Sequence, residues 1–289
     1  MKTINDLIHN ITLDKKDSHT YSGISETIGS SRVFGGQVLA QALHAAYNTI
    51  PKDRFVHSLH SYFLLPGDLT IPITYKVTEM RNGGSFSTRR VTALQNENTI
   101  FILAASFHKK EDGYEHQEAI KTSIKQPEQL LSWSDLLNQY GDFIPSKMKD
   151  FLSIERPIDF KPVRIANPKE QKDLPAVEDI WFKLKGNVTN LELALKHQIL
   201  TYISDYNILN AALNPNASKA NIGNTQMASL DHSMWFFREF DFDDWMLFSS
   251  VSPSTSGARG LATGNIFTRD GRLIATVAQE GLLRPLKNK

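Results

Sequence analysis

A serine, an aspartate and a histidine stand within four positions of one another in SLDHSMWFF, residues 229–237. Hydrolysis by a nucleophilic serine uses these three residue types, with the histidine in reach of the hydroxyl. On a single strand, however, successive side chains alternate faces. Ser229, Asp231 and Ser233 would then point one way, and Leu230, His232 and Met234 the other. Alternation separates Ser229 from His232 and argues against a triad laid out along the chain. No G-x-S-x-G elbow occurs anywhere in the sequence. Most of the stretch reads as an aromatic core face.

Other residues carry candidate chemistry. In HSLH, residues 57–60, strand alternation sends His57 and His60 to opposite faces, so they do not chelate together. No H-E-x-x-H is present, and no metal site is read. His57 alone suits acid–base work, because an unperturbed imidazole titrates near neutrality; a structural hydrogen-bonded histidine is the preferred reading. Asp205 lies near the end of a strongly apolar helical stretch, LELALKHQILTYISDY. A buried carboxylate is costly unless it has partners or a task. Gln198, Thr201 and Tyr202 share its helix face; the alternative is a helix-end cap for the turn that follows. Gln279 interrupts the apolar strand TVAQEGLLR, either for chemistry or for a structural hydrogen bond to a loop. Gly35 and Gly36 open a helix, where free N–H groups meet an anion or a polarised carbonyl, or where close packing requires them. Arg89, Arg90 and Arg259 are candidates for phosphate binding or for ion pairs.

The elements that must position these residues occur twice. A strand near 19–27 and a helix at 37–50 precede strands at 55–64, 71–80, 86–95 and 99–108, divided by PGD, RNGG and NEN turns. The second half repeats that order: a strand at 178–185, a helix at 191–206, and strands at 226–237, 245–252, 258–268 and 272–283. LHSYFL at 59–64 recurs as DHSMWF at 231–236, and NENTIFILAAS at 96–106 as RDGRLIATVAQ at 269–279. QVLAQALH at 37–44 likewise lies over QILTYISD at 198–205. Three matches in one order indicate an internal duplication. The boundaries read as 1–113, a connector at 114–155 and 156–289. The connector is expected to hold one short helix, started by Pro127 and stopped by Gly141. The fold class is α+β, each half a helix wrapped by a curved antiparallel sheet.

Bulk composition narrows the function classes. The chain has 289 residues, 40% of them hydrophobic, and a formal charge of +1 from 32 basic and 31 acidic residues. That balance suggests neither nucleic acid nor an anionic membrane as partner. The absence of cysteine excludes disulfides, thiolate ligands and a cysteine nucleophile. No signal peptide, membrane span or peroxisomal tail is read, so a cytoplasmic location is expected.

RVFGGQVLAQAL, VHSLHSYFLLPGD, SFSTRRVTALQ, ISDYNIL, LDHSMWFF and VAQEGLLR together resemble the acyl-CoA thioesterase II family, the TesB-type enzymes, over about residues 15–284. The resemblance implies a double hotdog fold, which agrees with the duplication. It implies hydrolysis of fatty acyl-CoA to fatty acid and CoA without a cofactor, in a homodimer or homotetramer. The family's catalytic group falls on Asp205, Ser229 and Gln279, with serine where many members have threonine. His57 ranks below these three. On this reading the group holds one water, and Gly35 or Gly36 steadies the oxyanion if the two halves meet there. Two alternatives stand beside it. A hotdog hydratase or dehydratase would need an Asp/His pair, and no histidine follows Asp205 in YNILN. A non-catalytic acyl-CoA-binding module would have no use for all three polar residues.

Overall fold

The amino-terminal segment folds by a local rule. Asp6 N–H donates to Thr3 Oγ1, and Thr3 N–H donates back to the Asp6 carboxylate. This capping box starts helix α1 (Ile4–Ile11), whose Ile4, Leu7 and Ile11 are buried. The computed structural model describes residues 1–121, 123–165 and 172–286.

The first half continues with β1 (Asp14–Lys15), β2 (Thr20–Gly23), α2 (Gly35–Tyr47), β3 (Arg54–Phe63), β4 (Ile73–Asn82), β5 (Phe86–Gln95) and β6 (Asn98–Lys109). β2 is shorter than the strand expected at 19–27, because side chains of α2 take over the backbone past Gly23. Gln37 Nε2 donates to Ile24 O at 2.5 Å, and Glu26 N–H donates to Gln37 Oε1 at 3.0 Å. Gln41 donates to Asn10 O at 2.6 Å and accepts from the Tyr75 hydroxyl at 2.6 Å. The glutamine seam of α2 is therefore structural.

The connector differs from its expected single helix. Pro127–Gln129 makes only one 3₁₀ turn. Helix α3 (Trp133–Tyr140) starts later, on its own capping box between Ser132 and Asp135. Gly141 does not stop the chain turning; it leads into a second 3₁₀ turn, and α4 (Ser146–Ser153) follows.

The second half holds β7 (Ile158–Pro162), β8 (Val177–Leu184), α5 (Leu193–Ser204), α6 (Asn210–Leu213), β9 (Thr225–Ser229), β10 (Asp231–Phe236), β11 (Met246–Ser256), β12 (Arg259–Thr268) and β13 (Leu273–Pro285). All the described strands join one antiparallel sheet in the order β1-β2-β4-β5-β6-β3-β10-β13-β12-β11-β8-β7, with β9 also on β13. The two halves meet at β3 and β10, where His60 lies opposite Ser233 and Ser61 opposite His232. The duplicated His-Ser dipeptides thus pair with each other, as equivalent strands do across a two-fold axis. This is the double hotdog architecture. Helices α2 and α5 pack against each other in one continuous core. The start of α2 touches the end of α5 at Gly36 and Tyr202, while Tyr47 near its end bonds to His197 at 2.8 Å.

Candidate active site

Helix α5 stops at Asp205, its C-cap. The helix is buried along its last two turns, from His197 to Ser204, and Asp205 at its end is half-buried. The Ser229 hydroxyl donates to Asp205 Oδ1 at 3.1 Å. Gln279, buried on β13, donates from Nε2 to Ser229 Oγ at 2.9 Å, and its amide also reaches the Asp205 carboxylate. The backbone N–H of Gly36 is a further donor to that carboxylate. Asp205, Ser229 and Gln279 therefore share one network, and the amino terminus of α2 enters it from the other half.

Burial pushes the Asp205 carboxyl up to about 6. The hydrogen bonds from Gln279, Ser229 and Gly36 oppose this and favour the charged form. The positive end of the α2 dipole acts in the same direction. The result is a carboxylate that is ionised near neutral pH and still basic enough to take a proton.

The sheet register corrects the alternation argument. Residues 226–237 do not form one strand; the chain breaks at Leu230. On β13, Gly281 faces Ser229 of β9, and Ala278 faces Ser233 of β10. Four steps along one chain thus match three along the other, which is a β-bulge. The extra residue changes the parity of the strand. Ser229 and His232 do not bond to each other, but both face Gln279: its Nε2 serves Ser229, and its Oε1 meets His232 Nδ1.

Gly35 and Gly36 sit where a side chain would collide with the other half. A Cβ on Gly35 would lie 2.7 Å from Asp205 Oδ2, and one on Gly36 would lie 2.4 Å from the Tyr202 carbonyl oxygen. Aromatic side chains wall the acid. Phe34 packs on Tyr206 at 4.7 Å and on Tyr202 at 5.1 Å between ring centres. Tyr206 packs on Phe160, which stacks on Trp133 of the connector at 4.4 Å.

The remaining candidates lie elsewhere. His57 bonds to Ser106 at 2.8 Å on the first half's sheet, outside the Asp205 network. Arg89 is buried, and its guanidinium donates to Thr49, Arg81, Thr88 and Asn82. Those bonds occupy the donors that phosphate binding would need, so Arg89 is structural. Arg259 is exposed and ion-paired with Glu280 at 2.9 Å. Arg90 is exposed on β5, with β6, β3 and β10 between it and β13.

Ser229→Ala is expected to lower kcat on the order of 10²-fold, by removing a preorganised donor. It should also move the acid limb of the pH profile upward, since Asp205 loses a bond that favours its charged form. Ser229→Thr keeps the hydroxyl and should stay within a few-fold of wild type. Equal profiles for Ala and wild type would remove Ser229 from the site.

Comparison with known proteins shows the family to which the chain belongs. The acyl-CoA thioesterase family profile covers residues 148–282, and that of the acyl-CoA thioesterase N-terminal domain covers 24–108. Acyl-CoA thioesterase 2 of Haemophilus influenzae is 40% identical over 281 residues, spanning 97% of this chain and 98% of the relative. The chain belongs to the acyl-CoA thioesterase family. Human acyl-coenzyme A thioesterase 8 is 36% identical, over 95% of this chain and 87% of that one. The crystal structure of the acyl-CoA thioesterase II TesB2 from Mycobacterium marinum superposes with a TM-score of 0.77 at 32% identity, covering 98% and 99% of the two chains. Family membership makes this chain a thioester hydrolase acting on acyl-CoA.

Proposed function

We propose that Asp205, Ser229 and Gln279 hold one water for attack on the thioester carbonyl of a fatty acyl-CoA, giving free fatty acid and CoA without an acyl-enzyme. The observation that carries this is the single carboxylate, pushed up to about 6, onto which a hydroxyl, an amide and a helix N–H converge. Among the described residues no imidazole hydrogen-bonds to Ser229; that of His232 bonds to Gln279 instead. Asp205 takes the water's proton as general base. Ser229 and Gln279 orient the water. The Gly35 N–H, first in α2, meets the developing oxyanion on this reading. A thiolate leaves readily, so one attack is enough. The aromatic wall of Phe34, Tyr202 and Tyr206 suits an acyl chain.

The proposal includes a homodimer or homotetramer in the cytoplasm. Exposed Tyr62, Leu64 and Leu65 around the end of β3 support assembly. The absence of cysteine fits a reducing compartment, and no described helix is long and apolar enough to cross a membrane.

Thiol release from a panel of acyl-CoAs of increasing length tests the reading. The value of kcat/KM should fall about tenfold per pH unit below the Asp205 value and level off above it, because only the ionised carboxylate accepts a proton. An inflection near 6 is expected. Absence of release at every chain length, or a profile flat through that region, contradicts the proposal.

A further inference from the structure

Behind Gln279 lies a layer that this mechanism leaves unused. His232 is fully buried on β10. Its Nδ1 meets Gln279 Oε1, and its Nε2 lies 3.0 Å from Ser204 Oγ, in the last turn of α5 before Asp205. The direction of each bond follows from the groups. Ionised Asp205 only accepts, so Ser229 donates to it. The Ser229 oxygen then accepts from Gln279 Nε2, which leaves Gln279 Oε1 facing the imidazole. An amide oxygen cannot donate, so Nδ1 carries the ring proton. The bare Nε2 of the neutral ring accepts from the Ser204 hydroxyl, whose proton is shared with the Thr201 carbonyl at 2.8 Å.

We propose that His232, with its proton on Nδ1 and its Nε2 accepting from Ser204, is a positioning residue that holds the Gln279 amide in the direction it faces. A reversed amide would bring Gln279 Nε2 against the Nδ1 proton and Oε1 against the Ser229 oxygen. Donor would meet donor and acceptor would meet acceptor, so reversal needs the ring proton to move to Nε2 and the Ser204 hydroxyl to turn from donor to acceptor at the same time. Burial pulls His232 down to about 4, and the ring stays neutral wherever Asp205 is ionised. The inference rests on the assignment of Gln279 to the active site.

Two substitutions separate orientation from packing. The amide nitrogen of His232→Asn reaches the place of Nδ1, whereas that of His232→Gln reaches the place of Nε2. H232Q should lower kcat by about 10- to 100-fold, as loss of an orienting partner does, with KM changed by less than about threefold. H232N should stay within about threefold of wild-type kcat. Ser204→Ala, which leaves the ring packed, should cost about 3- to 10-fold in kcat. In a Gln279→Ala background H232Q should add no further loss, because the residue to be oriented is gone. Melting temperatures show which variants fold, and S204A with H232N decides if H232Q does not. The proposal is overturned if H232Q and S204A keep wild-type kcat, if H232N loses as much as H232Q, or if H232Q costs the same factor with and without Gln279. Full activity of Q279A would instead remove Gln279 from the site, and this inference with it.

Discussion

Asp205→Asn is expected to lower kcat by about 10³-fold or more and at the same time to raise the melting temperature at alkaline pH. The kinetic loss follows because an amide cannot take a proton from water. The stability gain follows from linkage. The carboxyl has a folded value of about 6, raised from 3.8 chiefly by burial. A raised acid binds its proton more tightly in the folded state, so stability is greatest below the unfolded value and declines as pH rises through the folded one. Above that window the ionised form costs about 3 kcal/mol at one pK unit per 1.36 kcal/mol. Asparagine removes that cost. Its NH2 group meets donors from Gly36, Ser229 or Gln279, which costs about 1–2 kcal/mol for a mispaired bond. The net effect is a rise of a few degrees at high pH that vanishes on acidification below the carboxylate range. Calorimetry over pH together with thiol release measures both halves. Wild-type turnover in the variant, or a lower melting temperature at alkaline pH, would show that Asp205 is not a buried base.

The same physics explains what was legible before the structure. Asp205 stood out because a carboxylate in so apolar a helix is costly, and Gln279 because an amide interrupts an apolar strand. Both were visible as anomalies in local pattern, although local pattern left their roles open. The duplicated order of helix and strands was legible for a similar reason: periodicity and turn residues repeat within each half. Ser229 was different. Its role follows from family resemblance alone, and alternation along a single strand puts it on the opposite face from His232. The bulge at Leu230 has no mark in SLDHS, where no glycine or proline signals it. It arises because β10 is held in register by β3 and β13 at once, while β9 meets only β13. Arg89 shows the same limit. Its alternating strand is clear in sequence, but the groups that saturate it include Thr49, just past the end of α2. The glycine pair was readable as a helix start. That it faces the acid of the other half depends on how α2 and α5 cross.

That crossing makes the two glycines separable by substitution. Gly36→Ala is expected to destabilise the fold by about 1–3 kcal/mol, the usual range for overpacking, and to lower kcat on the order of 10²-fold, as a displacement near 1 Å does. The new methyl would lie 2.4 Å from the Tyr202 carbonyl oxygen and 2.5 Å from the Phe34 ring. The ring can turn, but the carbonyl belongs to the backbone of α5. The helices must therefore move apart, which lengthens the Gly36 N–H bond to Asp205 and shifts the acid relative to Ser229. Gly35→Ala strikes a different atom. Its methyl would lie 2.7 Å from Asp205 Oδ2 and 3.1 Å from the Phe63 ring, both of them side chains that can shift. The fold should absorb it at lower cost, while the carboxylate is pushed off the water it must activate. Gly35→Ala should thus lose activity with little loss of melting temperature, and Gly36→Ala should lose both. If both variants lose stability equally and Gly35→Ala keeps full kcat, the acid does not work against the start of α2, and the two halves do not build one site.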